Sequence, residues 1–438
     1  MVSIGSLRIF RDYVSRHAFA MGRAASGRER IGAEVEFLPI DAASGRLAPI
    51  EGEPGPATAP LLRSMAARYG WQELQSLKSG APEFRLPNGG RISYEPGGQI
   101  EYASPPLHSV SALVEDLQRV MASLATTLQD VGVVPLYLGL DPSFAVEEVP
   151  LRLRGERYQR MDRYFGTLGK NGARMMRQTA SMQIALDLGP HRFARWRLLN
   201  SIAPYLAAIF ANSPAYEGRL TGMCSTRRAV WNDLDPTRTG LPWDREAVEA
   251  YSEFALGAPT FLEGPGEPPF LALGEHLERW GEFRTEACAA HLSTLFPEVR
   301  PRGYYEVRTV DALDPSWYAA PLSFLVGLVW QPAIAARALE ITGDPDPALL
   351  RLAGERGLDD ARLGSRAQEL FLLALEGCAS LSADVLRRSD LERTAEFFER
   401  FTAARRSPAS EWRFAARDRP AAGSSVGTPM TVQDVGRP

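Results

Sequence analysis

Two kinds of apolar pattern alternate along this chain. In short runs, charged and apolar residues take turns; in longer runs, apolar residues recur every three or four positions. The first pattern predicts strands, where residues two apart share a face, and the second predicts helices. Alternation is clearest in IGAEVEFLPID, where Glu34 and Glu36 fall on one face and Val35 and Phe37 on the other. RGYYEVRTVDA repeats it, with Glu306 and Arg308 set against Tyr305 and Val307. Within GARMMRQTASMQIALDLG, Ala180, Met182, Ile184 and Leu186 line one face of a half-buried strand; Thr179, Ser181, Gln183 and Asp187 line the other. ISYEPGGQIEYASPP reads as a strand, a glycine-rich break and a second strand, and VVPLYLGL as a further strand.

Helical periodicity marks SVSALVEDLQRVMASLATTLQDVG, with Ser109 or Ser111 as N-cap and Gly132 as stop signal. It also marks a segment near PLLRSMAARYG, and FARWRLLNSIAPYLAAIFANSP, which ends at Asn212-Ser213-Pro214. The N-terminal MVSIGSLRIFRDYVSRHAFAMG forms an amphipathic helix, not a secretory signal, because it lacks a continuous apolar core and a small-residue cleavage site. Beyond RGYYEVRTVDA the chain reads as mainly helical to about Arg406. ASGRLAPIEGEPGPATAP, LDPTRTGLPWD and LEGPGEPPFLALG read as loops. Residues 418–438 lack apolar periodicity and read as a disordered tail, which leaves residues 1–417 as one domain. Strands mixed irregularly with helices predict an α+β fold with a curved, largely antiparallel sheet. Helices would cover its convex face, and the polar faces of four strands would line the concave one.

The composition is that of a globular protein. A net charge of −4 gives no general attraction to nucleic acid or to an anionic membrane. WYAAPLSFLVGLVWQPAIAARALEI is interrupted by Pro321, Gln331 and Pro332, so it reads as buried helix rather than a membrane span. Three separated cysteines, Cys224, Cys288 and Cys378, show no zinc spacing and suit a reducing cytoplasm as buried thiols. The five histidines show no paired spacing and read as structural or surface residues.

The candidate chemistry lies in Glu34, Glu36, Glu95, Glu101 and Glu306, which sit on strand-like segments far apart in the chain. Gathered carboxylates repel one another and resist burial unless cations neutralise them. Hard oxygen donors of this kind suit Mg²⁺ or Mn²⁺ shared with phosphate. Gln183 would serve as a neutral oxygen ligand or substrate contact, and Arg308 would meet a phosphate or developing negative charge. Gly97 and Gly98, between Glu95 and Glu101, would permit a bulge and close approach of a ligand to the backbone. No GxxxxGK[ST] occurs, so this is not a P-loop. Taken singly, each signal has an ordinary alternative: ExE as a solvated strand face, EPGGQ as a turn, YEVR as a half-exposed strand with an ion pair.

Jointly, GxExE, EPGGQxE, MMRQTASMQIALD, FANSPAYEGRLTGMCSTRRAVWNDLDPTRTG and HLSTLFPEVRPRGYYEVRTVDA resemble, in order and spacing, the glutamate–cysteine ligases of the plant and proteobacterial type. TGMCSTRRAVW and RRSP point to the actinobacterial branch serving ergothioneine biosynthesis. The resemblance covers roughly residues 30 to 410. It implies a core related to the catalytic domain of glutamine synthetase, and an ATP-dependent ligation of glutamate to cysteine through a γ-glutamyl phosphate. By motif match, the five glutamates would be metal and glutamate ligands, and Gln183 would stand beside metal and nucleotide. Arg308 would serve the ATP phosphates, Arg227 a substrate carboxylate or the reacting phosphate, and Trp231 would wall that pocket or pack. The partners implied are glutamate, cysteine and ATP, for a monomer or homodimer. One departure matters: QVNLD is here QIALD, so Ala185 replaces a polar residue on the site-facing side. Two other readings stay open: a related ligase with a different amine acceptor, and a non-catalytic nucleotide- or amino-acid-binding relative.

Overall fold

The computed structural model describes residues 4–20, 27–52, 55–75, 79–243, 246–261, 270–280 and 285–412. The expected disordered tail lies outside these residues, as does most of the LEGPGEPPFLALG loop.

The strands are β1 (Ile31–Asp41), β2 (Gln72–Gln75), β3 (Pro82–Arg85), β4 (Arg91–Tyr94), β5 (Ile100–Ala103), β6 (Val133–Leu136), β7 (Ser181–Asp187), β8 (Ala215–Tyr216), β9 (Arg219–Leu220), β10 (Thr239–Gly240), β11 (Phe296–Pro297), β12 (Val299–Pro301) and β13 (Tyr304–Asp311). Nine of them form one sheet in the order β12-β13-β7-β1-β5-β4-β3-β2, with β6 also paired to β1. Every pairing within it is antiparallel. The expected α+β architecture with a largely antiparallel sheet is the one found.

Alternation puts the two faces of this sheet to different uses. Val35, Phe37, Ile100, Tyr102, Met182, Ile184, Leu186, Tyr305 and Val307 are all buried on the core face. The helix Val110–Gln129 packs there against β1 and β6, and the helix Arg192–Ile209 packs against β12 and β13. Burying each large side chain contributes about 1.5–3 kcal/mol, so a one-residue slip of register would expose the whole row. Ser109 caps the first of these helices, its hydroxyl accepting from the Ala112 N–H, and Gly132 takes a positive φ just beyond the helix.

The half-buried strand expected within GARMMRQTASMQIALDLG is β7, which begins at Ser181; ahead of it Lys170–Gln178 forms a helix whose Met175 and Met176 are buried. Two stretches differ from expectation. VVPLYLGL contributes a four-residue strand. The loop-rich middle contains the short helices Ala247–Gly257, Leu273–Trp280 and Thr285–Leu292.

Every residue of the helix Ala319–Val329 is buried, as expected for the most apolar stretch. The chain bends by 99° between it and the next helix, Pro332–Thr342. Among the described residues no single helix is long and apolar enough to cross a membrane. The three cysteines are buried, and among the described residues none is in a disulfide.

Candidate active site

The sheet register sets the site-facing residues side by side. Glu36 lies directly across from Glu101, and Glu34 across from Gln183 on one side and Ala103 on the other. Glu306 lies across from Ala185 and from Arg300. Glu95 is not on a strand; it is the first residue after β4, where a turn begins. It belongs to the same electrostatic neighbourhood as Glu34, Glu36 and Glu101. Four segments that are remote in the chain thus meet on one face.

Their charges divide into two halves. On the acidic half, burial pushes the Glu34 carboxyl up to about 7, and the charge of Glu306 adds to the rise. Burial, then the charge of Glu36, pushes Glu95 up to about 8. Glu101 is raised well above the ordinary range by burial and by Glu34, Glu95 and Glu36 together. Glu34, Glu95 and Glu101 keep part of their surface open, so they line a recess rather than a sealed core. None of the described residues donates a hydrogen bond to the carboxylate of Glu34 or Glu95. Only Ser93 Oγ, at 3.1 Å, meets Glu101.

Glu36 is deeper and better satisfied. It accepts from the Ser181 N–H at 2.8 Å, Ser181 Oγ at 3.2 Å and Gln183 Nε2 at 2.9 Å. Burial still raises its pKa, against the opposing charge of Arg227.

The other half is cationic. Glu306 accepts from Arg300 Nε at 2.7 Å, Arg302 Nη1 at 2.9 Å and Arg308 Nη1 at 3.0 Å. Burial pushes its carboxyl up, but the three arginines outweigh that and hold it well below the usual carboxylate range. Both of its oxygens accept from arginines, Oε2 from Arg300 and Arg308 and Oε1 from Arg302. Arg308 also donates to Gln183 Oε1, which makes Gln183 a bridge between Glu36 and Arg308.

Arg227 is buried on the helix Thr226–Asn232, whose N-cap Ser225 accepts from the Arg228 N–H. Its guanidinium donates to the carbonyls of Arg308, at 2.9 Å, and Thr309, at 3.4 Å. Trp231 is buried against Phe296, with Arg227 and Arg308 each lying over its ring.

Gly97 and Gly98 have packing reasons for lacking a side chain. A Cβ on Gly97 would stand 2.0 Å from the Arg177 carbonyl oxygen. Gly98 takes φ +97°, and a Cβ there would meet the Arg152 side chain at 2.8 Å. At both glycines the protein itself makes a close approach to the backbone. The turn is tied down further by Gln99, which accepts from the Gly97 N–H and donates to the Thr179 carbonyl.

Arg300 and Arg302 escaped the sequence reading. A signal existed: the tight turn at Arg302-Gly303, with Gly303 at φ +76°, folds RPRGYYEVR back on itself and sets Arg300 opposite Glu306. Ser181, which doubly supports Glu36, also went unsuspected.

Among the described residues no three His, Cys, Asp or Glu side chains form a ready-made ion cage. The unpartnered oxygens of Glu34 and Glu95 nonetheless fit a hard divalent cation, which commonly takes one or two carboxylates and completes its shell with substrate phosphates and water.

Residues 30–411 match the family described as Glutamate-cysteine ligase family 2 (GCS2). The chain belongs to that family. It is 34% identical over 368 residues to the glutamate–cysteine ligase EgtA of Mycolicibacterium smegmatis, covering 80% of this chain and 83% of the relative. Identity to the chloroplastic glutamate–cysteine ligase of Brassica juncea is 29% over 351 residues, 75% and 66% of the two chains. The fold is shared with the glutamate–cysteine ligase of Francisella tularensis, crystallised with AMP, at a TM-score of 0.53 and 14% identity, over 89% of this chain and 85% of that one. This ligase fold has the glutamine-synthetase-like architecture expected of the sheet. The GCS2 segments that carried the resemblance are those whose side chains meet on the site face.

Proposed function

We propose that this protein is an ATP-dependent glutamate–cysteine ligase. ATP would transfer its γ-phosphoryl group to the γ-carboxylate of glutamate, releasing ADP. The α-amine of cysteine would then attack the acyl carbon and lose a proton, and phosphate would leave, giving γ-glutamylcysteine. A carboxylate resists attack because it is negative and would have to expel oxide; phosphorylation removes both obstacles. What remains is to orient a neutral amine and exclude water.

The observation that carries this reading is the division of the recess in a GCS2 chain: four carboxylates on one side, a guanidinium cluster on the other. The acidic side, Glu34, Glu36, Glu95 and Glu101, would hold Mg²⁺ or Mn²⁺. When bound, the ions would neutralise and align the phosphate chain. Arg308 would meet the transferring phosphate, with Gln183 beside the nucleotide and Glu306 keeping the arginines in place. Cytoplasmic ergothioneine biosynthesis is the setting proposed. Supporting it are the EgtA relatives of Mycolicibacterium smegmatis and Mycobacterium tuberculosis, the latter 32% identical over 328 residues.

The test is phosphate release from ATP, Mg²⁺ and glutamate with a panel of amines. Cysteine should be the preferred acceptor. Release no faster with cysteine than with alanine would reject the assignment. It would favour a different amine, a reading to which Ala185 lends support, since it leaves a small side chain facing Glu306.

A further inference from the structure

Strand β13 carries both Glu306 and Arg308, yet its pairing with β7 is not regular. Val307 pairs with Ile184 and Val310 with Met182, so three steps on β13 oppose two on β7. The extra residue is a β-bulge at Arg308-Thr309. Bulges interrupt the ladder and re-aim side chains, and this one frees main-chain carbonyls at the residue whose guanidinium faces the recess. Arg227 takes up both carbonyls, those of Arg308 and Thr309.

One buried carboxylate holds Arg227 there. Asp311, 2% exposed, accepts from the Asn212 N–H at 2.8 Å, Ser213 Oγ at 2.7 Å and Ser225 Oγ at 3.1 Å, and pairs with Arg227 Nη1 at 3.4 Å. Ser213 Oγ in turn accepts from the Arg227 N–H at 3.1 Å. Gly139 packs so tightly on this carboxylate that a Cβ there would lie 2.5 Å from Asp311 Cγ. Asp311 therefore joins the Asn212–Pro214 loop, the start of the Thr226–Asn232 helix and the end of β13. It also competes with Glu36 for Arg227, the largest opposing charge on Glu36. Without Asp311, the guanidinium would be drawn toward Glu36 and would let go of the bulge.

We propose that Asp311 is a positioning residue: through Arg227 it fixes the bulge that presents Arg308 to the recess. Its catalytic consequence rests on the ligase reading; its structural consequence does not.

The test uses Asp311→Asn, Arg227→Lys and the double variant of the full chain. In a crystal structure of Asp311→Asn, the Arg308 guanidinium should have left Gln183 and Glu306. With ATP, glutamate and cysteine, each single variant should lower kcat/KM for ATP by about tenfold to a hundredfold, the scale of a small misplacement, and the double variant should be no worse than the poorer single. An unmoved Arg308, or losses that multiply in the double variant, would overturn the proposal. If Asp311→Asn does not fold, Ser213→Ala replaces it: a smaller loss that does not multiply with Arg227→Lys supports the proposal, and a multiplying one overturns it. A wild-type protein that releases no phosphate with any amine defeats the ligase reading alone. The position of Arg308 in the Asp311→Asn or Ser213→Ala crystal then decides the matter.

Discussion

At position 101 the sheet sets a carboxylate directly across from Glu36, with Glu34 and Glu95 close by. At position 306 a carboxylate sits among three arginines. The same residue type should therefore answer the same substitution in opposite ways. Glu101→Gln removes a carboxyl whose ionisation burial and its neighbours oppose, and should stabilise the metal-free protein by about 1 kcal/mol, while abolishing turnover. Glu306→Gln strands buried guanidinium charges and should destabilise it by about 3–5 kcal/mol, again without turnover. Urea unfolding in EDTA, beside phosphate-release assays, checks both; full activity in either variant refutes its proposed place in the site. His291 carries a different signature. Its Nε2 meets the Ala255 carbonyl at 2.7 Å, and burial, aided by Arg238, pushes its pKa down to about 3. The unfolded chain binds a proton there below its ordinary 6.5, whereas the folded chain does not. The stability that depends on neutral His291 is thus complete above pH 6.5 and is lost as pH falls toward 3. The slope from this one residue should approach about 1.4 kcal/mol per pH unit. His291→Gln should be less stable at pH 7 but flatter between pH 6 and 4 in thermal melts; an unchanged slope counts against the burial of an uncharged imidazole.

Among the elements, the turn between β4 and β5 and the hairpin between β12 and β13 aim most of the site. The first carries Glu95 at its start and is wedged against the helix Lys170–Gln178 through Gly97 and the Arg177 carbonyl. Gly97→Ala should cost about 1–3 kcal/mol, as overpacking does, and should shift Glu95. Reduced thermal stability together with weaker Mg²⁺ dependence is the expected result, and wild-type behaviour in both would show that the turn has slack. The glycine pair was legible in the sequence as a break in a strand. Its reason was not, because the group it must avoid comes from about eighty residues away. The same holds for the bulge in β13: RGYYEVRTVDA reads as an unbroken strand, and only its partner β7 shows where the register slips.

For the whole molecule, the division of the recess into acidic and cationic halves makes a prediction about ligands. A metal–phosphate complex would satisfy both halves at once, the ion meeting the carboxylates and the phosphates the guanidinium cluster. Mg²⁺ and ATP together, at about a hundred times their dissociation constant, should stabilise the protein by about 2.7 kcal/mol, and EDTA should abolish the gain. ATP stabilising equally well in EDTA would count against the metal role of Glu34, Glu36, Glu95 and Glu101.

What could be read from the sequence is whatever depends on neighbours in the chain: alternation in β1, β7 and β13, the Ser109 cap, the buried Ala319–Val329 helix, and the family through its ordered motifs. Period-two alternation also revealed which residues share a face, so Glu34 with Glu36 and Glu306 with Arg308 were legible as pairs. Which pair lies beside which, that Glu306 pairs with arginines while Glu101 faces its own kind, and that Arg227 grips a bulge, were settled only by strand order and register. The Glu36–Glu101 and Arg227–bulge contacts join segments tens of residues apart, whereas the arginines around Glu306 lie two to six residues from it and are brought round by the Arg302-Gly303 turn. Charge acts through space, so the electrostatic character of Glu34, Glu36, Glu95 and Glu101 follows from the folded neighbourhood, while that of Glu306 is set by arginines near it in the chain once the hairpin turns them inward.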